Sequence, residues 1–312
     1  MRFCYHIQNN APRHHGAQDR GTAAHTGAAA ARLTRLVQVI RRYSPTSVVY
    51  ISHDVHGPPL DESDLRALPD VTVTYDLHRP GDYSAVDRYL RGVDWLAREG
   101  VSVDWIVSLT GTDYPLLPLA HAEDELVASR ADAVVAHRDL RGAARHTRSA
   151  YGFRHRRLPS PAAAAATLRP LELVNRLQPL LRLHTADGLA VGWRTRPPAD
   201  LRLRTGGPGA ALSWRAARFV AEFLNGRPDV VAYFRGCLSP ERAVLPTLLC
   251  GAADLAVRGD DLRHRLGAGP ATDAAVAAAA ASGAHFAGPF DHRTDPAVLD
   301  GLDTRLAQAA ER

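Results

Sequence analysis

The 312-residue chain predicts an α/β fold, with a mainly parallel central sheet flanked by helices. The first observation behind this prediction is an alternation of short β-branched runs with longer amphipathic segments, which is typical of parallel sheets. The second is a run at residues 105–109, apolar apart from Ser108, that indicates a strand buried on both faces. This strand ends in a polar turn with Gly111, Asp113 and Pro115, which places Asp113 at the carboxyl edge of the sheet.

The remaining elements follow from local spacing. In the first half, the patterns predict strands at residues 2–7, 47–51 and 71–75 and helices at 28–43 and 84–99. Residues 8–27 form a long polar loop between the first strand and the first helix. In the second half, a glycine-rich turn at 204–209 leads into a short apolar strand, and a helix follows over 214–224.

An apolar helix is predicted over residues 243–249. Ser239 is suited to be its N-cap and Pro240 its first helical residue. Glu241 then lies in the first turn, where its negative charge is favourable beside the N-terminal end of the helix dipole. Stabilisation of the helix is therefore one explanation for a glutamate at this position, and a functional role is the alternative.

Composition narrows the classes of partner. All 38 basic residues are arginine, and the formal net charge is +5. Arginine binds phosphate through a planar fork, so both a sugar nucleotide and a nucleic acid are candidate partners. An aromatic content of 6% gives little support for the stacking of single-stranded nucleic acid. A nucleic-acid-binding role therefore rests only on the arginine count, and no such partner is predicted.

The sequence also bears on location. Cys4, Cys237 and Cys250 lie far apart or in apolar settings and show no metal-ligand spacing, which indicates reduced thiols. No apolar run approaches the roughly 20 residues that a membrane helix needs. The N-terminus enters a strand directly, without a signal-peptide pattern. A cytoplasmic location without an integral membrane segment is predicted, and the oligomeric state is left open.

The middle of the chain is less regular. Residues 138–157 are crowded with arginine and histidine, and residues 159–166 are a proline and alanine stretch. The simpler interpretation is that these residues form a solvent-exposed segment outside the main fold. The alternative is a patch that binds an acceptor or a phosphate.

Two predicted strands end in an aspartate-bearing loop, at Asp54 and Asp113. In open α/β sheets, ligands bind beyond the carboxyl ends of the strands. The alternative for Asp113 is that it only caps the helix predicted near residues 120–129. Both interpretations stay open at this point.

Several segments carry a resemblance to a known family. Residues 110–116 match a Ser-Gly-x-Asp-Tyr-Pro-Leu strand end, and residues 206–213 match a Gly-Ser-x-Trp-x-x-Leu-Ser segment. Residues 240–242 match a Pro-Asp-Glu element, and residues 286–291 match Phe-Ala-x-Lys-Phe-Asp. In this order and spacing the chain resembles the core-2/I-branching β-1,6-N-acetylglucosaminyltransferase family, glycosyltransferase family 14, which includes peptide O-xylosyltransferases.

The resemblance implies a GT-A-like glycosyltransferase fold with a C-terminal helical extension. It implies an inverting, metal-independent transferase that moves a sugar, GlcNAc-like or xylose-like, from a nucleoside diphosphate, usually UDP, to an acceptor hydroxyl. No cofactor is implied, and the partners are the nucleotide sugar and a glycan or small-molecule acceptor. The whole chain, 1–312, would be one domain, with a nucleotide-sugar-binding half (1–130), an irregular insertion (131–200) and an acceptor and catalytic half (201–312).

The residue roles carried over from the resemblance are expectations. The general base is Glu241. Nucleotide-sugar binding is expected from Asp54, Asp113, Arg263 and Arg265. Acceptor binding is expected from Gly207, Gly209 and Arg242. No residue is expected to bind a metal.

The chain also departs from the family pattern. An ungapped alignment puts Arg242, which stays protonated, opposite the catalytic glutamate, and Glu241 opposite the preceding aspartate. Pro289 replaces a family lysine, and Gly209 replaces the tryptophan of the Gly-Ser-x-Trp segment. Arg263, Arg265 and Arg293 are the cations left for the diphosphate. These departures favour an alternative hypothesis, an inactive relative that binds a nucleotide sugar or carbohydrate without turnover.

Overall fold

A computed structural model of the chain describes residues 1–10, 23–57, 59–60, 62–158, 175, 180–184, 189–207, 209–260, 262–267, 269–291 and 295–310, with only the backbone for 23–28. The strands are β1 (Phe3–Asn9), β2 (Val48–Asp54), β3 (Val71–Asp76), β4 (Trp105–Thr110), β5 (Tyr114–Pro115), β6 (Ala133–Val135), β7 (Arg138–Asp139), β8 (Phe153–Arg157), β9 (Leu181–His184), β10 (Ala190–Arg194), β11 (Arg204–Thr205), β12 (Ala210–Ser213), β13 (Val257–Arg258), β14 (Arg263–Arg265) and β15 (Phe286–Gly288). The helices are α1 (Ala23–Tyr43), α2 (Ser63–Arg66), α3 (Ser84–Arg98), α4 (Leu119–Ala128), α5 (Arg145–Gly152), α6 (Trp214–Gly226), α7 (Pro228–Arg235), α8 (Val244–Leu249), α9 (Asp273–Ala281) and α10 (Pro296–Ala310). Two 3-10 turns cover Leu140–Gly142 and Pro240–Arg242.

Seven strands form the central sheet in the order β13-β6-β12-β4-β1-β2-β3. Strands β3, β2, β1 and β4 are mutually parallel, and β13 is parallel to β6. Strand β12 is antiparallel to both of its neighbours, β4 and β6. The predicted α/β fold with a mainly parallel sheet is therefore confirmed, and β4 is the middle strand, as the run at 105–109 indicated.

Helices cover both faces of this sheet because its central strands are apolar on both sides. Along β1, Tyr5 and Ile7 join one core cluster, whereas Cys4 joins the other. The first cluster includes the buried face of α1 and the C-terminal helix α10, and the second includes α3 and α6. The predicted helices at 28–43, 84–99, 214–224 and 243–249 correspond to α1, α3, α6 and α8, with ends that differ by a few residues.

The predicted N-cap at Ser239 is wrong. Its side chain makes no capping bond, and its backbone is left-handed with φ of 50°. The backbone N–H of Ser239 donates to the carbonyl of Gly81 at 2.8 Å, and its carbonyl accepts the hydroxyl of Tyr151 at 3.0 Å. These bonds hold a sharp bend, so that Pro240 starts a 3-10 turn rather than the α-helix itself.

The arginine-rich segment at 138–157 is more regular than the sequence indicated. It contains β7, a 3-10 turn, α5 and β8, and β8 pairs with β10 in a separate three-stranded sheet of order β8-β10-β9. The proline and alanine stretch at 159–166 lies outside the described residues. Among the helices that the structure describes, none is long and apolar enough to span a bilayer.

A buried histidine in β1 predicts how stability depends on pH. The ring of His6 lies between those of Tyr50 and Tyr89, with centroid distances of 5.2 and 5.6 Å. Within the described structure neither ring nitrogen has a hydrogen-bond partner. Burial, reinforced by the positive charge of Arg88, lowers the pKa of His6 to about 3.

Because the unfolded chain would protonate His6 near pH 6.5, the native state is favoured above that pH and loses this advantage as the pH falls toward 3. Between neutral pH and about pH 5 we expect His6 to account for about 2 kcal/mol of the fall in unfolding free energy. Urea denaturation of the wild type and of His6→Leu at both pH values measures this share. Replacement of the exposed His146 by leucine is the matched control. An unchanged pH dependence in His6→Leu would contradict the expectation.

Candidate active site

A cavity of about 460 Å³ opens at the carboxyl ends of β1 and β4. Chain order reverses between these two strands, since β2 and β3 lie on one side of β1 and β4 on the other. Ligands of open α/β sheets bind at such a topological switch point. The cavity is lined by Gln8, Asn10, His78, Pro80, Gly81, Ala85, Val86, Tyr89, Ser108, Leu109, Thr110, Ser239, Glu241, Arg242, Leu245, Arg263 and Arg265.

The lining combines three cations with a carboxylate. Arg263 and Arg265 enter from β14, and Glu241 and Arg242 enter from the 3-10 turn before α8. Of the described lining residues, Glu241 alone carries a carboxylate. Guanidinium groups bind phosphate oxygens, so the cavity can hold an anionic ligand beside a potential proton acceptor.

Arg263 is held rigidly at the cavity wall. One of its nitrogens, Nη2, donates to the carbonyl of Ser108 at 2.6 Å and lies 3.1 Å from Oδ2 of Asp113. The two side chains of this ion pair are 10% and 5% exposed. Gly209 makes room for the guanidinium, since a Cβ there would lie 2.9 Å from Cζ of Arg263. The arginine is therefore positioned before any ligand arrives.

Asp113 does not cap the helix that follows it. The residue before α4 is Pro118, and Asp113 instead accepts the backbone N–H of Thr110 at 2.5 Å. Together with its contact to Arg263, this bond makes Asp113 a support for the cavity wall rather than part of the lining.

Asp54 is at the end of β2, as predicted, but it does not line the cavity. It is buried, and its Oδ1 accepts the backbone N–H groups of His56 and His78 at 3.1 and 3.2 Å. Because His78 is a lining residue, Asp54 shapes the cavity through the loop that carries His78.

Two glycines of the glycine-rich turn, Gly206 and Gly209, are packed against other parts of the protein. At Gly206 a Cβ would lie 1.6 Å from the carbonyl oxygen of Ala136, so only glycine fits there. Neither Gly207 nor Gly209 is among the described lining residues. The turn contacts the Glu241 segment directly, because Nε of Arg242 donates to the carbonyl of Gly206 at 3.2 Å.

The sequence did not reveal the fully buried Arg88 in α3. Its Nε donates to Oγ of Ser52 at 2.6 Å, and its guanidinium also bonds the side chain of Asn10, a lining residue. Burial lowers the pKa of Arg88 to about 10. One feature of the sequence could have indicated its burial: Arg88 lies directly beside the apolar stripe of an amphipathic helix, which includes Tyr89 and Val93.

Two further hydroxyls were not predicted. Those of Tyr89 and Ser108 are buried, line the cavity and have no hydrogen-bond partner among the described residues. Buried polar groups are normally paired, so these two lack the partners that such groups usually have.

Two other expectations concern the absence of a metal site and the arginines that bind the diphosphate. In the described part of the chain, no three His, Cys, Asp or Glu side chains converge as a metal site would require. Metal independence itself stays a prediction. Of the three candidate diphosphate cations, Arg263 and Arg265 line the cavity, and Arg293 lies outside the described residues.

No protein-family model and no curated protein matches the chain. Among solved structures, it is similar to a protein from Bacillus anthracis named as a candidate glucose-1-phosphate thymidylyltransferase, in complex with a sucrose, at 8% identity and a TM-score of 0.35, covering 71% of this chain and 75% of that one. HddC from Yersinia pseudotuberculosis, complexed with GMP-PN, is similar at 10% identity and a TM-score of 0.33, covering 70% and 79%. A 4-diphosphocytidyl-2C-methyl-D-erythritol synthase from Anaerococcus prevotii is similar at 9% identity and a TM-score of 0.31, covering 72% and 76%. Similarities with identities and TM-scores this low do not assign the chain to a family. Membership of the core-2/I-branching family is not supported beyond the sequence motifs.

Proposed function

We propose that the protein is an inverting glycosyltransferase that moves a sugar from a nucleoside diphosphate donor, of UDP type, to an acceptor hydroxyl. The observation that carries the proposal is the cavity at the switch point, which both Glu241 and the arginines of β14 line. A diphosphate needs cations, and an acceptor hydroxyl needs a base, so this pair of features suits sugar transfer.

In the proposed reaction, the acceptor oxygen attacks the anomeric carbon as the bond from that carbon to the diphosphate breaks. Glu241 takes the proton of the acceptor hydroxyl. Arg263 and Arg265 stabilise the charge that develops on the departing diphosphate, as preorganised cations do in other phosphate chemistry. A single displacement of this kind inverts the anomeric carbon. The donor is a substrate, and no cofactor takes part.

One observation favours a second function, binding without turnover. Arg242 lines the cavity directly beside Glu241, at the position where the resembled family has its catalytic glutamate. An arginine there can hold an anionic ligand but cannot accept a proton. The two functions differ in a single measurable outcome, the release of nucleoside diphosphate in the presence of an acceptor.

The first test is stabilisation by UDP. A ligand that binds only the folded state raises its stability, by about 2.7 kcal/mol when it is present at 100 times its dissociation constant. Because arginines provide the charge in this proposal, we expect UDP to raise the melting temperature equally with and without EDTA. Uridine, which lacks the diphosphate, should give a much smaller shift. Stabilisation that vanishes in EDTA and returns with manganese would show that a metal is required.

A further inference from the structure

The small sheet β8-β10-β9 presents a mixed apolar and cationic face. In its antiparallel register, Trp193 is opposite both Arg154 and Leu181, and Val191 is opposite both Arg156 and Leu183. Directly opposite residues point to the same side of a sheet. One side of this sheet, which we call the outer face, therefore carries two adjacent rows of side chains that run across the strands. The first row is Leu181, Trp193 and Arg154, and the second is Leu183, Val191 and Arg156.

The outer face is open to solvent although it is partly apolar. Trp193 is 44% exposed and Leu181 48% exposed, and Arg154 and Arg156 are exposed as well. On the opposite side of the sheet, Phe153 is buried. The sheet is thus anchored by its inner side, and the apolar groups of the outer face are not required for that packing. Exposed apolar patches of this kind mark interaction surfaces.

The described residues that neighbour the outer face along the chain carry charge of one sign. The described residues between positions 140 and 199 include many arginines and no Asp or Glu. Among all the residues that the structure describes, none provides a carboxylate that forms an ion pair with Arg154 or Arg156. By contrast, exposed arginines on α3 and α6 do, as in the pairs Arg98–Asp94 and Arg218–Glu222. The outer face is complementary to a surface that is both anionic and partly apolar.

We infer that the outer face docks the protein on a bilayer containing anionic phospholipids. Trp193 and Leu181 enter the headgroup region, where an amphipathic ring is favoured, and Arg154 and Arg156 bind lipid phosphates. A purely acidic protein surface, or a nucleic-acid duplex whose bases are stacked on one another, would satisfy the arginines but would leave the tryptophan and leucine in water. The docking is peripheral, and it does not depend on the proposed function.

Sedimentation with vesicles tests this inference. We expect the protein to bind vesicles of phosphatidylcholine mixed with phosphatidylglycerol, to ignore vesicles of phosphatidylcholine alone, and to dissociate as salt rises. Removing both arginines, in Arg154→Gln/Arg156→Gln, should weaken binding about 30-fold, since each is worth about 1 kcal/mol near an anionic surface. The matched control is Arg98→Gln/Arg218→Gln, which removes the same charge from other exposed surfaces and should bind as the wild type does.

The apolar part of the inference needs its own variant. Trp193→Ser should weaken vesicle binding about fivefold, because about half of a large side chain loses its burial. Val127→Ser, on the exposed side of α4, is the control. Brominated lipids should quench the fluorescence of the wild type more than that of Trp193→Phe, which reports insertion even if Trp193→Ser does not fold. Failure to bind mixed vesicles, equal loss in the arginine control, or quenching that is the same without Trp193 would each overturn the inference.

Discussion

Glu241→Gln is expected to slow sugar transfer by about two orders of magnitude or more while leaving donor binding intact. Glutamine keeps the size of the side chain and its place in the 3-10 turn, but its amide cannot accept the acceptor's proton. The arginines proposed to bind the diphosphate are unchanged, so affinity for UDP should stay near that of the wild type. Single-turnover release of UDP from UDP-N-acetylglucosamine or UDP-xylose, with a panel of glycoside acceptors, separates the two steps.

The control is the same substitution at an exposed carboxylate outside the cavity. Glu222→Gln, on α6, should transfer sugar at the wild-type rate. Transfer at the wild-type rate by Glu241→Gln would make Glu241 a structural residue and move the search for a base to His78, which also lines the cavity. A wild-type protein that binds UDP-sugars but transfers to no acceptor would favour the binding function instead.

Local patterns were sufficient to predict most of the sheet and its helices. The run at 105–109 specified the central strand because its side chains are apolar on both faces, and the amphipathic spacing in α1 and α3 specified which sides they bury. Residues 230–234 were not assigned to a helix or a strand from the sequence, since a short apolar run fits either. Pro228, at the first position of α7, was the signal that it is helical.

The site was predicted less completely because its supports are distant in the chain. Asp113 and Arg263 were both named, but their ion pair depends on β14 joining β15 and β5 in one small sheet, which no local pattern encodes. Asp54 was expected to bind the nucleotide sugar, yet its carboxylate accepts hydrogen bonds from backbone N–H groups of the loops that follow. Short motifs gave the residue types at the sheet edge, and tertiary packing decided which of them face the cavity.

Glu241 is one position before the catalytic glutamate of the resembled family in the alignment, and the structure shows how it still lines the cavity. A 3-10 turn has three residues per turn, so neighbouring residues point in well-separated directions. Glu241 and Arg242 nevertheless both line the cavity, together with Ser239, whose left-handed backbone makes the bend before the turn. The carboxylate therefore does not need a different start of the helix to reach the site.

Arg263→Met is expected to destabilise the fold by about 3–5 kcal/mol and to weaken UDP binding as well. Removing the guanidinium leaves Asp113 buried without its cationic partner, and breaking one side of a buried ion pair typically costs that much. Urea denaturation measures the first effect, and isothermal titration with UDP measures the second. The matched control is Arg265→Met, two positions along β14, because Arg265 is exposed yet lines the same cavity.

The two arginines should then separate stability from binding. We expect Arg265→Met to weaken UDP binding with little change in unfolding free energy, whereas Arg263→Met changes both. Adding Asp113→Asn to Arg263→Met should recover part of the lost stability, since no buried charge is then left unpaired, and the double-mutant cycle measures that coupling. If Arg263→Met proves too unstable to titrate, Arg263→Lys keeps the charge and allows binding to be measured. Equal stability of the Arg263 and Arg265 variants would show that the Asp113 pair does not hold the cavity wall in place.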